Sequence, residues 1–192
     1  ETDGRRGEGV FAQVESSMAV ARRHGLFFGC SITVTRKNFD LVMSDGWINR
    51  FHKAGSRLFV FVEYVPVAKG SDDLVLTQDQ RSILIDKAAT LRKKFRSLFL
   101  AFPGDEDQFG GCLAAGRGFI HINPSGDVEA CPFAPYADRS VAETSLKRAL
   151  GSPLLAKIRE HHDKLQETAG GCSLWAEREW LGSVAGKNQD YI

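Results

Sequence analysis

Three cysteines stand in settings that suit chemistry better than packing. Cys112 follows Gly110-Gly111, Cys131 precedes Pro132-Phe133, and Cys172 follows Gly171. Thirteen residues separate Cys112 from Gly126, and four separate Gly126 from Cys131. Between the two cysteines, Phe119 to Glu129 reads as two short strands joined by a turn at Asn123-Pro124-Ser125-Gly126. Such a hairpin carries one thiol before it and one at its exit. Thiolates select soft ions and iron–sulfur clusters. The flanking glycines leave backbone N–H groups able to point at such a group. On these residues alone zinc and an iron–sulfur cluster stand level, and the plainer alternative is three small buried hydrophobes. No fourth ligand is evident. Cys30, mid-strand among Phe27, Phe28 and Ile32, reads as core.

Other polar residues carry weaker signals. Ser31, Thr33 and Thr35 alternate along one strand and so share a face. Their hydroxyls either bond neighbouring backbone or meet a polar ligand over the sheet. Glu63 ends the most hydrophobic strand, where a carboxylate either sits at the mouth of a ligand site or pairs with a buried arginine. Asp105-Glu106-Asp107 reads as a solvated acidic turn, and His161-His162 as surface. Arg5-Arg6 is a lone basic pair.

These residues need elements to position them, and hydrophobic periodicity supplies those. Phe11 to His24 has a helical period that stops at Gly25, and Asn38 to Ala54 reads as a helix stopped by Gly55. Thr77-Gln78-Asp79-Gln80 is a capping box that opens a helix to about Phe95. Strands are expected near 27–35, 57–67 and 97–102, the second so uniformly apolar that it predicts burial on both faces. Alternation of helix and buried strand gives a parallel α/β layer. Beyond residue 103 come glycines, the hairpin, and shorter helices near Ser145–Leu150, Pro153–His161 and Leu174–Leu181. A boundary near 103–110 therefore divides the chain into residues 1–103 and 104–192.

Composition bounds what the chain can do. It has 192 residues, enough to bury a sizeable core, and a net charge of +1. That charge makes no case for nucleic acid or anionic membranes as partners. No apolar run spans a membrane, and a cytoplasmic setting with reduced thiols is expected. The first residue is Glu1, in what reads as a polar loop, and the chain is expected to be a piece of a longer protein.

Taken together, the residues resemble the C-terminal part of a radical S-adenosylmethionine (radical SAM) protein with a SPASM or twitch auxiliary domain. Thr2-Asp3-Gly4-Arg5-Arg6-Gly7 resembles the segment after the third barrel strand. Gly29-Cys30-Ser31-Ile32-Thr33 resembles the fourth strand, Glu63-Tyr64-Val65-Pro66 the fifth, and Phe99–Phe102 the sixth. The Cys112, Gly126, Cys131 spacing resembles the start of the auxiliary-cluster motif, with Ile122 to Val128 as its most recognisable part. The resemblance implies an α/β fold: the C-terminal half of a partial (β/α)6 radical SAM barrel, then a small α+β auxiliary iron–sulfur domain with a β-hairpin.

The resemblance also implies cofactors and roles. Cys112, Cys131 and Cys172 would ligate an auxiliary 4Fe–4S cluster. Arg6 and Ser31 would lie near the carboxylate or ribose of S-adenosylmethionine, and Val65 and Pro66 against its adenine. The parent protein would generate a 5′-deoxyadenosyl radical and modify a substrate, with a peptide as one candidate class. Two departures limit the expectation. The CxxxCxxC motif that holds the S-adenosylmethionine-cleaving cluster does not occur in these residues, nor does the second-strand glycine-rich motif. The chain alone is therefore expected to be inactive, with the N-terminal half of the barrel as its implied partner. A full SPASM domain carries seven cysteines and only three fit here, which implies a single-cluster, twitch-like domain. The alternative from another class is a zinc-stabilised, non-catalytic binding or scaffold module.

Overall fold

The computed structural model describes residues 2–67, 70–102, 110–165 and 172–185. The chain begins with helices α1 (Thr2–Arg6) and α2 (Val10–Arg23), so the opening segment is helical rather than a loop. Strand β1 (Gly29–Val34) follows, then α3 (Phe39–Val42) and α4 (Asp45–Ala54). The sequence reads as one helix there. Ser44 divides it, accepting a hydrogen bond from Trp47 N–H as the N-cap of α4. Strand β2 (Leu58–Glu63), a 3₁₀ turn at Asp72–Leu74, α5 (Gln78–Lys94) and β3 (Leu98–Phe102) complete this half. Thr77 and Gln80 form both bonds of the expected capping box at the start of α5.

The three strands form a parallel sheet in the order β1-β2-β3. Cys30, Phe59 and Phe99 stand side by side in register, as do Ile32, Phe61 and Ala101. One face of this sheet is sealed. Phe59, Phe61, Phe99, Ala101 and Val34 pack with Met18 of α2, Ile48 and Phe51 of α4, and Leu84, Ala88 and Leu91 of α5. Rings Phe59 and Phe99 stack in parallel at 4.8 Å between centroids.

The opposite face is open. It carries Gly29, Ser31 and Thr33 from β1, Leu58, Val60 and Val62 from β2, and Leu98 and Leu100 from β3. Leu98 is 59% exposed and Leu100 43%. The expectation that the second strand is buried on both faces is therefore corrected: Leu58, Val60 and Val62 are only half-buried. Parallel sheets are ordinarily covered on both sides. Among the described residues, the helices packed on this one lie on one face.

Side chains close parts of both sheet edges. Asn38 imitates a neighbouring strand beside β1, its Nδ2–H donating to Thr33 O at 2.9 Å and its Oδ1 accepting from Thr35 N–H at 2.8 Å. On β3, Leu98 N–H donates to Arg57 O, so the Phe99 carbonyl points outward. Arg92 Nε donates to that carbonyl at 2.7 Å. Edge groups satisfied this way resist strand addition.

The second half is built around an antiparallel hairpin of β4 (His121–Ile122) and β5 (Val128–Glu129), with His121 opposite Glu129. Helices α6 (Leu146–Leu150), α7 (Pro153–Glu160), α8 (Ser173–Ala176) and α9 (Arg178–Ala185) contribute to the same buried cluster as Val128 of β5. Gly126 turns the hairpin at φ +87°, and a Cβ there would lie 3.2 Å from Ser140 Oγ, so both conformation and space call for glycine. A separate buried cluster holds this half together, and Val65, just past β2, is part of it. Phe102 at the end of β3 meets Phe119 edge-on at 5.6 Å. The expected boundary near 103–110, Pro103-Gly104 and the acidic turn at 105–107 lie almost wholly outside the described residues.

Candidate functional site

All four cysteines carry thiols rather than disulfides. Cys112, Cys131 and Cys172 come from a loop, a hairpin exit and a helix N-cap far apart in sequence. The fold buries all three in one apolar cluster, with Leu155, Ile158, Leu174 and Leu181. The sequence singles out these three, and the structure gathers them into one core. Cys30 is placed apart, half-buried against the sheet core as expected, with burial pushing its thiol pKa up against a Ser56 hydrogen bond.

Local structure explains how each thiol is presented. Cys131 Sγ accepts a hydrogen bond from Phe133 N–H at 3.4 Å, across the turn that Pro132 sets. Cys172 Sγ accepts one from Trp175 N–H at 3.4 Å as the N-cap of α8. Backbone N–H groups aimed at sulfur stabilise thiolate character and support bound metals and clusters. Cys112 sits in a loop where Gly110, Gly111, Ala115 and Gly116 all adopt left-handed backbone, at φ 76°, 92°, 57° and 85°. For Ala115 that conformation is strained. Ala115 N–H donates to Ala130 O at 3.0 Å, which ties the Cys112 loop to the residue before Cys131.

The donor set suits a soft metal: three buried thiols, two of them already accepting N–H bonds. Their spacing does not close a site. Among the described residues no group of three or more His, Cys, Asp or Glu converges to hold a metal ion.

The hairpin carries a polar network that sequence reading missed. His121 Nδ1 lies 2.7 Å from Glu129 Oε2, and Asn123 Nδ2 donates to Glu129 Oε1 at 2.8 Å. Asn123 Oδ1 accepts from the N–H groups of Ser125 and Asp127 and shapes the turn. Glu129 is buried. The signal was present: in a hairpin centred on Asn123–Asp127, residues 121 and 129 must face each other.

The residues the resemblance assigns to S-adenosylmethionine fall in different surroundings. Arg6 is exposed at the end of α1, and Ser31 is exposed on the open face of β1. Val65 is buried in the second cluster, with Pro66 half-buried beside it. Thr33 shares the open face with Ser31. Thr35 lies beyond β1, and its Oγ1 accepts from Asn38 N–H at 3.2 Å, so the hydroxyl row is two residues long. Glu63 faces the helix layer, not the open face, because its register partner is Val34. It is 2% exposed and accepts from Arg81 Nε at 2.8 Å. Burial raises its pKa, and the guanidinium opposes that rise. Of the two alternatives for Glu63, the buried ion pair is the one observed.

Comparison with known proteins finds no matching family model and no matching curated protein. Among the described residues no helix is long and apolar enough to cross a membrane.

Proposed function

We propose that the chain is the half-barrel and auxiliary domain of a radical SAM enzyme, with Cys112, Cys131 and Cys172 binding one iron–sulfur cluster. The observation that carries this proposal is the gathering of three distant cysteines into one core beside a hairpin, directly after a parallel sheet whose helices lie on one face. A sheet wound in one direction, with β1, β2 and β3 adjacent in chain order, is the arrangement a segment of barrel wall would have, with its free face inside. The apolar row Leu58, Val60, Leu98 and Leu100 suits that setting.

When bound, the auxiliary cluster supplies an electron-transfer or substrate-binding iron centre, and S-adenosylmethionine supplies radical chemistry within the barrel. Among the described residues the three thiols do not close a metal site as they stand, and holding the cluster would require them to draw together. Cys131 and Cys172 present sulfurs backed by peptide N–H groups, and the strained loop at 110–116 presents Cys112. Ser31 is the cofactor-facing candidate that the fold leaves on the open face. Arg6, Val65 and Pro66 remain candidates on the resemblance alone. Reaction also calls for a CxxxCxxC cluster, which residues other than these must supply. In that reading the remaining strands pair at a sheet edge despite the Asn38 cap on β1, and the open face lines the interior with room for a substrate such as a peptide.

Metal and sulfide analysis of protein purified without oxygen tests the proposal against a zinc scaffold. Iron and acid-labile sulfide in comparable amounts are expected. Stoichiometric zinc without sulfide, with folding lost to chelators, would replace the proposal with a structural zinc module.

A further inference from the structure

The helix layer of the first half carries a cavity of about 510 Å³ between α2 and α4. Met18 and Ala19 of α2 and Phe51 and Ala54 of α4 make its apolar floor. Met18 and Phe51 are anchored in the sheet core, 6% and 4% exposed, so the floor is fixed. Around it stand Arg22, Arg23 and Arg50, with one carboxylate, Glu15. Arg50 reaches from α4 to pair with Glu15 of α2, and its guanidinium lies 5.5 Å from the Phe11 ring and 5.9 Å from the Phe51 ring. Arg22 Nη1 donates to Lys53 O, near the end of α4, at 2.8 Å.

Small-molecule sites are hollows of about 300–1,000 Å³ with apolar walls and a few placed polar groups. Here Glu15 balances Arg50. No carboxylate pairs with Arg22 or Arg23 among the described residues, so two positive charges remain at one end of the cleft. Both stand in the last turn of α2, where the helix dipole favours cations. The dipole accounts for basic residues there, but not for the apolar hollow beside them. Seven residues of helix, about 10 Å, separate Glu15 from Arg22. An occupant is therefore oriented, with its anionic end at Arg22 and Arg23 and its apolar body over Met18, Ala19, Phe51 and Ala54. Two guanidinium forks match a phosphate monoester, which carries about two negative charges and three acceptor oxygens. Arg22 keeps N–H donors beyond the one given to Lys53 O.

We propose that the α2–α4 cleft binds a phosphate monoester with an apolar body, its phosphate held by Arg22 and Arg23. The cleft lies on the core that contains Met18 and Phe51, whereas Cys112, Cys131 and Cys172 lie in the other core, so the site needs no bound cluster. The arginines supply binding alone, and no bond of the ligand is broken.

Isothermal titration calorimetry of the full chain with 1-naphthyl phosphate tests the site, with 1-naphthol and inorganic phosphate as probes of body and charge alone. 1-Naphthyl phosphate should bind about tenfold or more tightly than either. Arg22→Gln and Arg23→Gln should each weaken it about tenfold, the worth of a charge-assisted hydrogen bond. Ala19 is exposed at the cleft, so Ala19→Phe should fill the hollow and abolish binding, while Lys147→Gln on α6 should match the parent. Raising salt from about 0.05 M to about 0.5 M should weaken the phosphate contact. Circular dichroism identifies variants that keep the fold, and should one arginine variant unfold, the other decides. Equal affinity for 1-naphthol would overturn the role of the arginines, and equal affinity for inorganic phosphate that of the apolar floor. No binding at millimolar probe, or parent affinity in both folded arginine variants, would overturn the site. Binding to phosphatidylserine vesicles without binding of the soluble probe would overturn it in favour of a lipid surface.

Discussion

Replacing Arg81 with methionine should strand a buried charge. Arg81 and Glu63 meet at 2.8 Å with side chains only 6% and 1% exposed, and Glu63 Oε1 is buried with no hydrogen-bond partner among the described residues. At a charge separation of about 4 Å and an effective dielectric of about 20, the attraction is roughly 4 kcal/mol. Burial costs several kcal/mol per ion, so the intact pair nearly breaks even, and removing one member reveals the cost borne by the other. Arg81→Met should therefore lose about 3–5 kcal/mol near pH 7, read by urea unfolding. The double variant Glu63→Leu/Arg81→Met should recover most of that loss.

The pH dependence has a definite sign. Glu63 has a raised pKa in the folded protein, so the fold holds its proton more tightly than the unfolded chain does. The stability it contributes is complete below the ordinary carboxylate pKa and falls as pH rises through the raised value. Without Arg81 the guanidinium's opposing pull is gone and the rise is larger. The deficit of Arg81→Met should then be smaller near pH 5 than near pH 7. A loss under about 1 kcal/mol, or a deficit that does not shrink on acidification, would refute the reasoning.

Three further outcomes follow from other parts of the fold. Gly111→Ala should cost about 1–3 kcal/mol, because φ is +92° and the new Cβ would lie 3.2 Å from Leu165 O; an unchanged melting temperature would show that the loop can relax. Asn38→Ala should cost about 1–3 kcal/mol in denaturant unfolding by stranding Thr33 O and Thr35 N–H. Full stability there would mean that water replaces the amide. The parent chain should self-associate through its open sheet face, and Leu98→Lys/Leu100→Lys should suppress this in light scattering at nearly unchanged stability. A monodisperse parent would contradict that use of the face.

The layered half of the fold was legible because periodicity reports burial. The strands near 27–35, 57–67 and 97–102 are observed as Gly29–Val34, Leu58–Glu63 and Leu98–Phe102, and the capping box at Thr77 starts its helix as expected. The split at Ser44 was hidden because apolar residues on both sides of it keep one period. The second strand misled on burial: a continuous apolar run says that both faces are suited to cover, not that this chain covers both. The direction of Glu63 followed from alternation with Phe59 and Phe61, a stronger cue than its place at the end of the strand. At the candidate site, glycine and proline neighbours marked the three cysteines that share one buried cluster. The His121–Glu129 pair left no linear motif and could be read only from the register of the hairpin, which sets residue 121 opposite residue 129.

The central claim is that Cys112, Cys131 and Cys172 together hold one iron–sulfur cluster. The most direct measurement is iron and sulfide per chain after anaerobic reconstitution, across single alanine substitutions of all four cysteines. Cys112→Ala, Cys131→Ala and Cys172→Ala should each lose most of the cluster, while Cys30→Ala, in the other core, should keep it. Equal cluster content in all four variants, or a parent chain that takes up no iron, would contradict the claim.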